Sequence, residues 1–122
     1  MYTVLVIDDS EHVRNFLSDL LSDNGYKVRE AASGEKGLEQ FAEEKPDCVL
    51  LDVILPKIDG LEVLKRIRES DSVTPILMMT AEDPGWVRMS CEKFGANGFL
   101  SKVFDPENIL EAVENAILDA ET

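Results

Sequence analysis

Five polar residues each follow a short apolar or β-rich run. Asp8 and Asp9 follow Val4–Ile7, Asp52 follows Cys48–Leu51, Thr80 follows Ile76–Met79, and Lys102 follows Gly98–Ser101. Three carboxylates brought together repel one another unless a cation joins them. All are oxygen ligands, with no thiolate or imidazole among them, and such a set selects a hard ion of the Mg²⁺ kind. The charges of three aspartates, one Mg²⁺ and one lysine cancel, so the site is suited to accept a phosphoryl group. Taken singly, each residue has an ordinary reading: an aspartate as a turn or helix cap, a threonine as a strand end, a lysine as a solvated surface group. Their recurrence at successive run ends is what singles them out.

The elements that must position them alternate in type. Val4–Ile7 and Cys48–Leu51 are continuous apolar runs, the pattern of strands covered on both faces. Tyr26–Ala31, Ile76–Met79 and Gly98–Ser101 read as three further strands. Between them lie helical spacings. Ser10 is an N-cap before Val13, Phe16, Leu17, Leu20 and Leu21, and Asn24-Gly25 ends that helix. Ser33 opens a second helix and Asp59 a third. Asp83-Pro84-Gly85 is turn chemistry before a fourth, which Gly95 stops. Asp105-Pro106 is a cap with a first-turn proline before the last. Five strands alternating with five helices predict an α/β domain with a parallel sheet. In such sheets sites form at the carboxyl ends of strands, near a switch in strand order. The second strand ends in Ala31-Ala32 and is expected to lie outside the site.

At 122 residues the chain has room for one domain, expected to span 1–122 with nothing before the first strand. Apolar residues at 44% and charged residues at 30% fit a globular chain rather than a disordered one. The net charge is −13, which argues against direct contact with nucleic acid or with an anionic membrane surface. The acidity is even between the halves, but residues 105–122 hold six acids and no base. No secretory signal is visible, and no apolar run approaches the roughly eighteen residues of a membrane span. Cys48 and Cys91 then read as reduced thiols in a cytoplasmic protein. His12 has no partner ligand and reads as a surface residue, and Trp86 as a packing or surface-patch residue.

The motifs together resemble the receiver domain of bacterial two-component response regulators. The resemblance runs from Val4 to about Leu118 and rests on Val-Leu-Val-Ile-Asp8-Asp9-Ser, Leu-Leu-Asp52-Val-Ile-Leu-Pro56-Lys-Ile-Asp59-Gly60, Thr80-Ala81, Gly95-Ala96 and Lys102. It implies a flavodoxin-like, doubly wound (βα)5 fold with strand order 2-1-3-4-5, which would make the first and third strands neighbours. It implies that Asp52 is the phospho-acceptor and that Asp8, Asp9, Asp52 and the backbone carbonyl of Ile54 hold Mg²⁺. Lys102, Thr80 and the Ala81 N–H would bind the phosphoryl oxygens, with Thr80 and Phe99 as switch residues. The implied donor is a phosphohistidine on a sensor histidine kinase or a phosphotransfer protein. The implied output is an altered surface at the fourth helix, fifth strand and fifth helix, read by an effector protein or a C-terminal effector domain. Such a domain modifies itself and is not an enzyme acting on a separate substrate.

One position departs from the family pattern. Val103 stands where most members carry proline after a cis bond. A non-proline cis bond costs about 2.5–4 kcal/mol, so a trans bond and a shifted loop are expected. The departure also raises a second reading, a receiver-fold binding module that does not switch. Asp83-Pro84-Gly85-Trp86 is unusual too, and its proline could stiffen the switch region. A flavin carrier would want a Ser/Thr/Gly-rich loop after the first strand, and an aspartate-based phosphatase Asp-x-Asp; the chain has Asp9-Ser10-Glu11-His12 and Asp-Asp-Ser. The base-free last segment predicts a monomer or weak dimer and a basic partner on that face.

Overall fold

The computed structural model describes residues 1–81 and 85–122. Its strands are β1 (Thr3–Ile7), β2 (Lys27–Ala31), β3 (Cys48–Asp52), β4 (Ile76–Thr80) and β5 (Gly98–Ser101). Its helices are α1 (Glu11–Asp23), α2 (Gly34–Glu43), α3 (Gly60–Ser70), α4 (Trp86–Lys93) and α5 (Pro106–Glu121). All strand pairs are parallel, in the order β2-β1-β3-β4-β5. This is the doubly wound, flavodoxin-like order expected above.

The two continuous apolar runs become β1 and β3, which with β4 form the centre of the sheet, and every residue of these three strands is buried. Alternate side chains serve opposite layers. Leu5, Ile7, Val49, Leu51, Ile76 and Met78 pack with Phe41 of α2, with Val63, Leu64 and Ile67 of α3, and with Cys91 of α4. Val4, Val6, Cys48, Leu50, Leu77 and Met79 pack with Leu17 and Leu21 of α1 and with Ile109, Val113 and Ile117 of α5. The edge strand β2 is mostly half-buried or exposed, which is why its pattern is weaker in the sequence.

The helix starts follow the capping residues. Ser10, Ser33, Asp59 and Asp105 each accept a backbone N–H of the first turn. Gly25 and Gly95 take positive φ after α1 and α4, at 89° and 101°. Asp83 and Pro84 of the expected turn before α4 lie outside the described residues.

One link was not foreseen. Arg68 on α3 donates from Nε to the Gly95 carbonyl at 3.0 Å, from Nη1 to the Asp71 carbonyl at 3.0 Å and from Nη2 to Asn97 Oδ1 at 2.9 Å. It ties the end of α3 to the turn before β5. Cys48 and Cys91 are both buried and form no disulfide. Burial pushes the Cys48 thiol up to about 12, so it stays protonated and inert.

Candidate functional site

The strand order makes β1 and β3 neighbours, with Ile7 paired to Leu51. Asp8, just past β1, and Asp52, the last residue of β3, therefore emerge side by side. Their carboxylates and that of Asp9 offer oxygens that all lie within 4.8 Å of one another. Asp8 is 0% and Asp52 3% exposed, whereas Asp9 faces solvent.

Lys102 reaches this cluster from beyond β5. Its Nζ lies 2.8 Å from Asp52 Oδ2 and 2.9 Å from Asp8 Oδ2. The contact to Asp52 is a hydrogen bond. The contact to Asp8 is an ion pair, and among the described residues Asp8 Oδ2 accepts no hydrogen bond that meets standard geometry. The remaining oxygens are held by the local backbone. Asp8 Oδ1 accepts from the Ser10 N–H at 2.9 Å, and Asp52 Oδ1 from the Ile54 N–H at 3.2 Å.

Burial holds the Asp52 carboxyl above its ordinary range, and Asp8 adds to the rise, against the hydrogen bonds from Lys102 and Ile54. Burial works to discharge Lys102, but Asp52 and Asp8 outweigh it and raise its pKa. A fully buried carboxylate oxygen with no aligned donor, among three carboxylates and one lysine, leaves excess negative charge. That donor set fits a hard divalent cation, for which Asp8, Asp9 and Asp52 are suitable ligands.

Thr80 ends the next strand, buried, and its carbonyl accepts the Lys102 N–H at 2.8 Å. Ala81 follows it at the surface. Ile54 is exposed in the loop beyond β3. Phe99 stands apart from the carboxylates. It pairs with Met78 in the sheet, packs on the layer of α2, α3 and α4, and carries the Arg88 guanidinium 5.0 Å from its ring centre. The Lys102–Val103 peptide is trans, as expected of valine there. His12 and Trp86 are exposed, as their surface readings require.

Two contributors were given no role in the sequence reading, Gly60 standing there only as a motif residue. Gly60, at the start of α3, has no room for a side chain: a Cβ there would lie 2.0 Å from the Asp52 carbonyl oxygen. Arg14 of α1 donates to the Asp8 carbonyl at 2.8 Å and pairs with Glu30 of β2 at 3.3 Å. Strand β2 ends in alanines as noted, yet it supports the site through Glu30. A base near the start of a helix, where the dipole favours acids, was the available signal for Arg14.

Comparison with known proteins agrees with this geometry. The family profile described as the response regulator receiver domain matches residues 4–114. The chain is 40% identical over 106 residues to the alkaline phosphatase synthesis transcriptional regulatory protein PhoP of Bacillus subtilis, covering 87% of this chain and 44% of that protein. It is 41% identical over 107 residues to the response regulator MprA of Mycolicibacterium vanbaalenii, covering 88% and 46%. The chain thus spans less than half the length of these curated relatives. Among solved structures, the chemotaxis protein CheY4 of Vibrio cholerae superposes with a TM-score of 0.89 at 35% identity, covering 95% of this chain and 98% of that one. A putative response regulator of Chloroflexus aurantiacus superposes with a TM-score of 0.91 at 38% identity, covering 96% and 98%. By profile, sequence and fold alike, this chain belongs to the response regulator receiver domain family of two-component signalling.

Proposed function

We propose that residues 1–122 form a single receiver unit that works as a phosphorylation-dependent switch, with Asp52 as the phospho-acceptor. The observation that carries the reading is Lys102 Nζ, 2.8 Å from Asp52 Oδ2 and 2.9 Å from Asp8 Oδ2, inside a three-carboxylate cluster. An Asp52 oxygen attacks the phosphorus of a phosphohistidine on a histidine kinase or phosphotransfer protein. The O–P bond forms as the N–P bond breaks, and the electron pair stays on the imidazole nitrogen. Lys102 follows the charge onto the phosphoryl oxygens. Thr80 and the Ala81 N–H complete their binding. Asp8, Asp9, Asp52 and the Ile54 carbonyl would hold Mg²⁺, which neutralises charge on the phosphoryl oxygens.

Once Lys102 and Thr80 engage the phosphoryl group, they no longer serve the empty site. That differential contact biases a two-state equilibrium, which Phe99 and the surface of α4, β5 and α5 report. Water attack on the acyl phosphate resets it, so the domain catalyses only its own modification. An effector protein or a C-terminal effector domain reads the result. The two curated relatives, longer than this chain, are named as a transcriptional regulatory protein and a response regulator. No helix among the described residues is long and apolar enough to cross a membrane. The net charge of −13 favours action away from anionic bilayers and without direct nucleic-acid contact.

The test is intact-mass measurement after incubation with Mg²⁺ and a small acyl phosphate. One phosphoryl adduct is expected, absent from Asp52→Asn. No adduct on the native chain, or an adduct that survives Asp52→Asn, overturns the reading. Val103, 86% exposed where the family usually has proline, favours one second reading: a receiver-fold protein-binding module that does not switch. An adduct that leaves the amide resonances of Phe99 and α4 unmoved would select it.

A further inference from the structure

Arg14 is a half-buried cation that the phosphoryl chemistry above does not use. Its side chain is only 16% exposed although it lies near the start of α1, the helix end that disfavours positive charge. Nη1 donates to the backbone carbonyl of Asp8 at 2.8 Å, and Nε lies 3.3 Å from Glu30 Oε1 on the neighbouring edge strand. The carbonyl of Asp8 belongs to the peptide that joins Asp8 to Asp9. A peptide group is planar, so fixing its oxygen fixes the plane and the direction in which Asp9 leaves it. The side chain of Asp8 is held separately, by the Ser10 N–H at 2.9 Å. Glu30 in turn holds the guanidinium from the far side. One residue thus braces the backbone of both members of the acidic pair against β2.

We propose that Arg14 is a positioning residue for divalent-cation binding, which holds the Asp8–Asp9 peptide so that both carboxylates face the cluster with Asp52. The proposal rests on the reading of that cluster as a Mg²⁺ site. A purely structural role, joining α1 to β2, would leave cation affinity alone. A purely electrostatic role has the opposite sign: a positive charge beside the carboxylates repels Mg²⁺, so its removal would tighten binding. Only a brace on the acidic pair makes removal weaken binding. Groups that orient metal ligands in this way are typically worth tenfold or more in affinity.

The experiment titrates Mg²⁺ calorimetrically into the protein without phosphodonor, with thermal melts in EDTA run on the same samples. Arg14→Met is expected to weaken Mg²⁺ roughly tenfold, and Arg14→Lys, which can keep one N–H on the Asp8 carbonyl, to weaken it less. Asp9→Asn serves as the control for the site itself. Unchanged or tighter Mg²⁺ binding by a cooperatively melting Arg14→Met, with Asp9→Asn weakened, overturns the proposal and leaves the site reading standing. If Asp9→Asn binds as the native chain does, the site reading fails and the proposal falls with it. Should Arg14→Met not melt cooperatively, Arg14→Gln is read in its place by the same criteria.

Discussion

Asp52 is buried, and burial raises its pKa, with Asp8 pushing the same way against Lys102 and the Ile54 N–H. The native state therefore holds this proton more tightly than the unfolded chain does. Stability linked to Asp52 is present in full below the unfolded value of 3.8 and is lost as pH rises through the folded pKa. At neutral pH the ionised Asp52 weighs against the fold. We expect Asp52→Asn to melt higher than the native chain in EDTA. The order should narrow or invert in saturating Mg²⁺, because a ligand at a hundred times its Kd adds about 2.7 kcal/mol and Asp52→Asn has lost a ligating oxygen. Parallel melts with and without Mg²⁺ decide it; an Asp52→Asn that melts lower in EDTA contradicts the expectation. Lys102→Met moves the other way. It strips the cation from two buried carboxylates, for a loss of about 3 kcal/mol in urea unfolding together with loss of the adduct. The chemical residues were legible because each follows an apolar run. Arg14 was not: a base near a helix start is a weak signal, and its hydrogen bond to the Asp8 carbonyl leaves no mark at Asp8.

Between elements, the placement of Asp52 depends on how closely α3 approaches the end of β3. The Gly60 N–H donates to the Val53 carbonyl at 2.8 Å, and a Cβ at Gly60 would lie 2.0 Å from the Asp52 carbonyl and 2.8 Å from the Val53 Cα. Backbone on both sides leaves nothing soft to yield. Gly60→Ala should cost about 2–3 kcal/mol in urea unfolding and slow adduct formation by displacing Asp52. Full stability with a native phosphorylation rate would refute the close approach. The connection from α3 to β4 is held by Asp71. It accepts the N–H groups of Val73 and Thr74 and the Thr74 hydroxyl, each at 2.8 Å, with Lys45 at 3.2 Å. Burial opposes its charge, but Thr74, Val73 and Lys45 prevail and hold its carboxyl well below the usual range. For a lowered acid, the stability is present above the unfolded value of 3.8 and lost as pH falls through the folded one. Stability against pH should therefore fall more steeply below about 3.8 in the native chain than in Asp71→Asn, which should itself cost about 1–2 kcal/mol at pH 7. Equal acid slopes would contradict this. The caps at Ser10, Ser33, Asp59 and Asp105 were legible as local chemistry. The Arg68 fan to Gly95 and Asn97 joins positions 27 and 29 residues apart, and the close approach at Gly60 depends on tertiary packing, so neither follows from local spacing.

Across the whole molecule, the charge of −13 is unevenly used. Asp8, Asp9 and Asp52 form the cluster that Lys102 partly neutralises. Six other acids, Asp105, Glu107, Glu111, Glu114, Asp119 and Glu121, are all exposed within residues 105–122, which hold no base. The sheet order was readable only through the family resemblance, because alternating strands and helices fit several parallel orders. The acidity of the last helix was readable directly, and it has a consequence of definite sign. A symmetric dimer through α5 would set two such rows of like charge near each other, a repulsion that salt screens within about 8–10 Å at physiological ionic strength. A basic partner on the same face would gain from the field instead. Raising NaCl should therefore strengthen any self-association through α5 and weaken the capture of a basic partner. Sedimentation of the phosphorylated and unphosphorylated chain at about 0.05 and 0.5 M NaCl, a range over which the screening length falls severalfold, separates the two. We expect a monomer at low salt in both states. A phosphorylation-dependent dimer that buries α5 and tightens as salt is lowered would show that this acidic face is paired by contacts stronger than its own repulsion.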